Sequence, residues 1–197
     1  KDGKQEGLST MWYYKGEKIK EETFKDGKRD GLATSWYYTG EKQEEGTFKD
    51  DEKEGLWKAW YQDGKKRIQG TYKNGKPVGL LTCWHANGQK ESEKTYKDGT
   101  PEGKWIYWDE IGNKTTEENW QNGKENGTFT SWHSPQRIFN EETGTWSLRK
   151  GNVQKESEGT WKDGKRVGLW TYWRKDGKKN REETYKDGEL IKTEKFD

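Results

Sequence analysis

The sequence predicts an all-β chain, an elongated single-layer antiparallel meander of about eight tandem 24-residue β-hairpin repeats. Three observations lead there. An aromatic residue stands at every twelfth position from Trp12 through Phe24, Trp36, Phe48, Trp60, Tyr72, Trp84, Tyr96, Trp108 and Trp120 to Trp132, and the aromatics resume at Trp161, Trp173 and Tyr185. A glycine turn separates the aromatics, so the full unit is twice the aromatic spacing. Only 25% of residues are hydrophobic and 38% are charged, against an apolar share of about 45–50% in ordinary domains. Such a composition suits disorder, but fixed aromatic spacing does not. A thin sheet with an aromatic face satisfies both facts.

Each unit opens with Gly-Leu-x-Thr-x-Trp-Tyr, seen from Gly7 to Tyr13, from Gly31 to Tyr37 and, with variation, from Gly55 to Tyr61. A turn then ends at Gly16, Gly40, Gly64, Gly88, Gly112 or Gly177. The second strand closes on Thr-aromatic-Lys, as in Thr23-Phe24-Lys25 and Thr71-Tyr72-Lys73. A two-residue turn follows at Asp26-Gly27, Asn74-Gly75, Asp98-Gly99, Asn122-Gly123, Asp163-Gly164 and Asp187-Gly188. Asp-Gly and Asn-Gly are strong hairpin signals because a type I′ turn needs positive φ at both central residues. Thr, Trp, Tyr and Phe between the turns favour strands. Short turns make successive strands antiparallel, giving a meander of roughly fifteen strands.

Alternation puts Leu8, Thr10 and Trp12 on one face. Repeated along the array, these positions form a constant face, and this reading gives it the core. The Trp12 and Phe24 columns become two aromatic ridges packed on neighbouring Leu and Thr. The other face varies. One column holds Ser9, Ala33, Trp57, Leu81, Trp105, Phe129, Trp146 and Trp170; the next holds Met11, Ser35, Ala59, Cys83, Tyr107, Ser131, Leu148 and Tyr172. Repeat arrays commonly bind on the varied face of a constant scaffold, and Trp and Tyr dominate interface hot spots. Trp57, Trp105, Tyr107, Trp146, Trp170 and Tyr172 are therefore the candidate partner-binding residues. Second-face packing beneath snorkelling lysines carries equal weight.

Net charge is +2, with both signs interspersed. No basic stripe suggests nucleic acid, and no polybasic cluster suggests an anionic membrane. A single cysteine, Cys83, excludes an intrachain disulfide. Catalysis needs convergent groups, and the inventory is poor. His85 and His133 share a column two units apart, about 19 Å, too far for one metal. Cys83 beside His85 makes two ligands without a third. No nucleophile elbow, phosphate loop or paired-histidine helix is present. The expectation is a chain that is not an enzyme and holds no cofactor or metal.

Two segments carry a family resemblance: Lys53-Glu54-Gly55-Leu56-Trp57 through Asp63-Gly64-Lys65, and Lys162 through Lys178. They resemble the MORN repeat, closest to the bacterial variant of the YwqK type, whose members are labelled antitoxin components. The resemblance extends over the whole chain, one continuous array over residues 1–197 with a charged closing strand at 189–197. It implies a non-catalytic scaffold for protein contact, antitoxin-like in the finer reading. Lipid-headgroup binding follows from the resemblance alone and is not expected. A cell-envelope or extracellular glycan-binding module is the alternative, with tryptophans stacking on sugars. Open sheet ends allow end-to-end self-association.

Three places depart from the pattern. Asp51 replaces a turn glycine, so that turn differs or accepts strain. The period breaks over about 133–160, where Ser134-Pro135-Gln136 replaces a turn glycine, Thr143-Gly144-Thr145-Trp146 arrives late and Arg149 stands near a ridge tryptophan's place. Repeat decay is the favoured reading, ahead of a longer-looped unit, a bend or a grafted contact site. Lys1 begins within a unit, which reads as a cut; removal of a targeting segment would place the chain in the envelope or outside the cell, and otherwise the cytoplasm remains open.

Overall fold

A computed structural model describes residues 3–134, 137–148 and 153–197. The readings placed on Lys1, Pro135, Gln136 and Arg149, and on the side chains of Trp146 and Leu148, fall outside what it describes. The chain divides into two compact units, residues 1–88 with 95–99, and residues 89–94 with 100–197. The strands, in chain order, are β1 (Gly7–Trp12), β2 (Lys18–Lys25), β3 (Lys28–Trp36), β4 (Lys42–Lys49), β5 (Glu52–Trp60), β6 (Lys66–Lys73), β7 (Lys76–Trp84) and β8 (Lys90–Lys97). They continue with β9 (Thr100–Pro101), β10 (Gly103–Trp108), β11 (Lys114–Gln121), β12 (Lys124–Trp132), β13 (Arg137–Asn140) and β14 (Thr145–Leu148). The last are β15 (Lys155–Lys162), β16 (Lys165–Trp173), β17 (Lys179–Lys186) and β18 (Glu189–Lys195). A single antiparallel meander sheet takes sixteen of them, in chain order from β1 to β18 with β9 attached to β8; β13 and β14 form a separate two-stranded sheet. The expected all-β meander of hairpins is what forms.

In the first unit every two-residue turn adopts the left-handed conformation at both positions, as at Asp26 (φ 51°) and Gly27 (φ 84°). Each turn is also tied to the one before it. The Gly27 N–H donates to the Gln5 carbonyl at 3.0 Å, and the Gly75 N–H to the Lys53 carbonyl at 3.0 Å. Glu6 and Glu54 carboxylates accept from the Asp26 and Asn74 N–H groups at 2.7 and 3.1 Å. These bonds satisfy the turn donors and lock successive hairpins in register.

Asp51 accepts strain and is compensated for it. It sits at φ 71° where the other turns have glycine. Its carboxylate accepts from the Arg29 N–H at 3.1 Å and from Arg29 Nε at 3.0 Å, while Arg29 Nη2 donates to the Asp51 carbonyl at 3.1 Å. These bonds from Arg29 hold the Asp51 carboxyl below the ordinary aspartate value.

The sequence reading places the core on the Leu–Thr–Trp face; the structure places it on the other. In the first unit Ala33, Phe48 and Trp57 form the buried cluster, with Tyr72 packed against it. The leucines of the expected core, Leu8, Leu32, Leu56 and Leu80, are 49–66% exposed. Register explains part of this. Gly7 pairs with Phe24 and Gly31 with Phe48, so the second aromatic column lies on the varied face, opposite Trp12 and Trp36. Size explains the rest. Among the described residues a leucine on this face meets nothing large enough to cover it, whereas an indole lying flat reaches the next strand. Trp57 does so over Gly46, where an added Cβ would meet the ring at 2.2 Å. Gly70 admits Leu81 in the same way, at 2.4 Å.

In the second unit the period break is an insertion, and repeat decay is not the cause. Elsewhere the last residue of the opening strand pairs with a lysine six positions on, as Trp108 with Lys114 and Trp173 with Lys179. Trp132 pairs with Lys155, twenty-three positions on, so seventeen extra residues enter one turn while β12 and β15 stay neighbours. The extra segment makes its own hairpin, Phe139 opposite Trp146. Among the described residues the main sheet therefore holds seven hairpin units and a closing strand. The eighth unit of the sequence reading is this insert.

Candidate functional site

The six candidate residues fall into two places. Trp57, Trp105, Tyr107, Trp170 and Tyr172 lie on the varied face of the main sheet, and Trp146 belongs to the backbone of the inserted hairpin. The varied face is a structural one. Trp57, Trp105 and Trp170 are 4%, 8% and 0% exposed, so a partner does not reach these rings as the sheet stands. Tyr107 and Tyr172 are half-buried.

Each buried indole is closed in by the same kind of neighbours. Trp57 donates from Nε1 to the Thr47 carbonyl at 3.0 Å and meets Phe48 edge-on, ring centroids 4.8 Å apart. The Lys53 ammonium stands 4.0 Å above its centroid and pairs with Glu44, while the Arg29 guanidinium stacks 3.9 Å over Phe48. A cavity of about 200 Å³ remains between these groups, bounded by Glu22, Glu44, Ala33 and the two rings. Trp105 packs on Trp120 at 4.9 Å, and Lys94 stands 5.2 Å from Trp105 and 4.8 Å from Tyr107. Cations over ring faces with their stems on apolar surface cover what a second protein layer would otherwise cover.

The densest cluster surrounds Trp170. Trp161, Phe129 and Tyr185 pack on it at 5.3, 5.5 and 6.4 Å, and Arg166 stacks at 4.2 Å. Arg166 also donates to the hydroxyls of Tyr172 and Tyr185, at 2.8 and 3.1 Å. Tyr185 donates to Glu183 at 2.9 Å, and Arg181 to Glu183 at 2.7 Å. Burial pushes the Glu183 carboxyl up, but hydrogen bonds from Arg181, Tyr185 and Tyr172 outweigh it and hold the group below the ordinary glutamate value. Burial, then the bond to Glu183, pushes the Tyr172 hydroxyl up to about 12. An unfolded tyrosine ionises near 10, so folding favours the neutral phenol. That contribution is intact below the unfolded value and is lost as pH rises from there through the folded one. An ultraviolet titration of phenolate absorbance should show the Tyr172→Phe variant losing a component that titrates near 12 in the parent chain; loss of an ordinary component near 10 would contradict the assignment.

His133 is explained by the repeat. Tyr37 and Tyr61 donate their hydroxyls to the carbonyls of Trp60 and Trp84 at 2.8 and 2.6 Å. His133 occupies the same column, and its Nε2 lies 2.8 Å from the Trp173 carbonyl, so a ring N–H replaces the tyrosine hydroxyl. Cys83 is half-buried. Among the described residues no three His, Cys, Asp or Glu side chains come together as a metal-binding group.

Sequence reasoning missed the surface that is open. On the opposite face Leu8, Leu32, Leu56 and Leu80 recur every 24 residues and stand in solvent. Their spacing was plain, but their exposure followed only from which face the indoles cover.

Four segments, residues 29–50, 53–74, 77–98 and 166–187, match a family described as the MORN repeat variant. No curated protein matches the chain.

Proposed function

We propose that this chain, a MORN repeat variant protein, is a non-catalytic scaffold that binds another protein. The observation that carries this reading is the exposed leucine row beside a sheet face already closed on itself. Single exposed leucines are ordinary on any surface, but a row of them repeated in register on alternate strands, with Thr23, Thr47 and Thr71 between, offers a regular surface for an interaction. A preformed sheet face also spares much of the ordering cost of association. In the finer reading the chain is antitoxin-like and its partner is a toxic protein held inactive by the complex.

The varied-face tryptophans act one step back in this account. Trp57, Trp105 and Trp170 hold the sheet together, and charge placed on them would report unfolding before it reported a lost contact. Tyr107 and Tyr172, half-exposed, remain candidates for direct contact. The glycan reading requires open indole faces. Lys18 stands 5.5 Å from the centroids of both Trp12 and Trp36, and Lys66 5.5 Å from that of Trp84, so a sugar would have to displace a cation from each ring.

The test is retention of proteins from cell extract on the purified, tagged chain, with stoichiometry read by mass spectrometry. One protein held at fixed stoichiometry is the expected result. Retention on polysaccharide or lipid vesicles with no stoichiometric protein would overturn the scaffold reading.

A further inference from the structure

We infer that the cavity beside Ala33 in the first unit is a binding site for one neutral aromatic ring system carrying an N–H donor, an indole. The inference stands apart from the scaffold reading: the indole is either a free small molecule or a tryptophan side chain of a partner. Three observations converge on this occupant, namely a cation set for a ring that is missing, a carboxylate oxygen without a donor, and the volume of one ring system.

The cation comes first. In β5 Lys53 precedes Trp57 by four residues and stands 4.0 Å over its ring. In β16 Arg166 precedes Trp170 by four residues and stacks on it at 4.2 Å. In β3 the corresponding cation is Arg29, but the residue four positions on is Ala33. Arg29 reaches sideways instead, 3.9 Å over Phe48 and 3.0 Å from Asp51. Phe48 and Trp57 wall the space left beside Ala33. A ring seated there takes the place in β3 that Trp57 and Trp170 hold in their own strands, with a cation at its face.

The carboxylates supply the second observation. Glu22, Glu118 and Glu183 each stand two residues before an aromatic of the second column, Phe24, Trp120 and Tyr185. Trp120 Nε1 donates to Glu118 at 3.0 Å, and the Tyr185 hydroxyl donates to Glu183 at 2.9 Å. Phe24 has no donor to offer. Glu22 is 8% exposed, and its Oε1 has no hydrogen-bond partner among the described residues. Lys20 and Arg29 stand 2.8 and 3.8 Å from that oxygen as ion pairs, so its charge is balanced while an acceptor position stays open. A cationic ligand gains little, because Lys20, Arg29 and Lys53 already outnumber Glu22 and Glu44 around the cavity. An anion would meet Glu22. A neutral ring N–H suits both.

Volume sets the size. The cavity holds about 200 Å³. A cavity of about 150 Å³ takes one benzene, and drug-sized ligands need roughly 300–1,000 Å³. A single fused bicycle lies between the two. The side chains of Lys20, Lys53 and Glu44 at the rim are partly exposed, so a ring enters past flexible groups and needs no opening of the sheet.

The experiment uses the full chain and fluorine NMR with three probes: 5-fluoroindole, 5-fluorobenzofuran, and a tripeptide carrying 5-fluorotryptophan. 5-Fluoroindole should bind saturably at one site. 5-Fluorobenzofuran keeps the bicycle and replaces the N–H with a ring oxygen, and should bind at least tenfold more weakly. Ala33→Leu places in this column the side chain that Leu81 already has there; it fills the cavity and should abolish binding without lowering the melting curve. Glu22→Met removes the acceptor and should erase the preference between the two bicycles. Equal binding of the two bicycles by the parent chain, a comparison that needs no variant, overturns the inference. Binding that survives Ala33→Leu overturns it too, as does the failure of every probe to bind. Tighter binding of the tripeptide than of 5-fluoroindole upholds the site and gives it to a partner's tryptophan. The reverse order upholds it as a site for a free small molecule.

Discussion

Replacing Trp170 with alanine should destabilise the second unit by about 3–5 kcal/mol, the range for deleting a fully buried large aromatic. Trp170 is the one large side chain among the described residues with no exposed surface. Three aromatic rings and the Arg166 guanidinium touch it. Its Nε1 donates to the Thr160 carbonyl at 3.3 Å. Truncation removes the surface on which β15, β16 and β17 jointly rest, and a one-layer sheet has no second layer to collapse into the gap. Repeat arrays need not melt in one step, so chemical denaturation followed by fluorescence and circular dichroism together is the suitable measurement. A loss below about 0.5 kcal/mol, the usual surface-substitution range, would mean that the indole is not the support described.

Gly159→Ala should cost about 1–3 kcal/mol or more, as overpacking does. Gly159 has ordinary extended backbone; what forbids a side chain is the Trp170 ring, 2.1 Å from the position a Cβ would occupy. Neither partner can give easily, because one is a strand and the other a ring held on several sides. The double variant Gly159→Ala/Trp170→Ala should therefore cost less than the sum of the single changes, since the methyl then enters space the indole has left. Additive losses in the same denaturation assay would contradict a direct Gly159–Trp170 contact. Gly46→Ala against Trp57 is the corresponding case in the first unit, with the ring 2.2 Å from the would-be Cβ.

These two predictions show what the sequence could and could not disclose. The hairpins were legible because Asp26-Gly27 and its equivalents permit few alternatives: two consecutive positive φ values dictate a tight turn. Register was not legible: the first hairpin's ladder shifts between Met11 and Trp12, and Gly7 pairs with Phe24, which carries the second aromatic column to the face opposite Trp12. The side of the sheet that becomes the core was not legible from alternation. Alternation says that Leu32, Thr34 and Trp36 share a face, and it is silent on which face is covered. The deciding signal lay in a different comparison, between columns on neighbouring strands. Where the second strand carries glycine, at Gly46, Gly70 and Gly159, the following strand carries Trp57, Leu81 and Trp170; where it carries Glu22, the following strand carries Ala33. Large beside absent and small beside large is the pattern of a packed surface.

The insert misled for a related reason. Thr143-Gly144-Thr145-Trp146 has the spelling of an opening strand, so periodicity accepted it as a late unit. The pairing of Trp132 with Lys155 shows that the sheet bypasses it. A local motif cannot say which strand it pairs with, whereas the ladder can. Among the binding candidates, aromatic identity was a poor guide to accessibility, since Trp57, Trp105 and Trp170 are buried. A Trp or Tyr that would anchor an interface on a two-layer protein packs here within the one layer, while Leu8, Leu32, Leu56 and Leu80 are left exposed.

The central claim is that the aromatic face is the structural side of the sheet and the leucine face is the open side. Hydroxyl-radical footprinting of the native chain, with each residue's labelling compared with its labelling in the denatured chain, tests this most directly. Leu8, Leu32, Leu56 and Leu80 should be labelled in the native chain almost as fast as in the denatured one, while Trp57, Trp105 and Trp170 are strongly protected. Protected leucines together with freely labelled Trp57 and Trp170 would reverse the faces and contradict both the packing and the function argued from it.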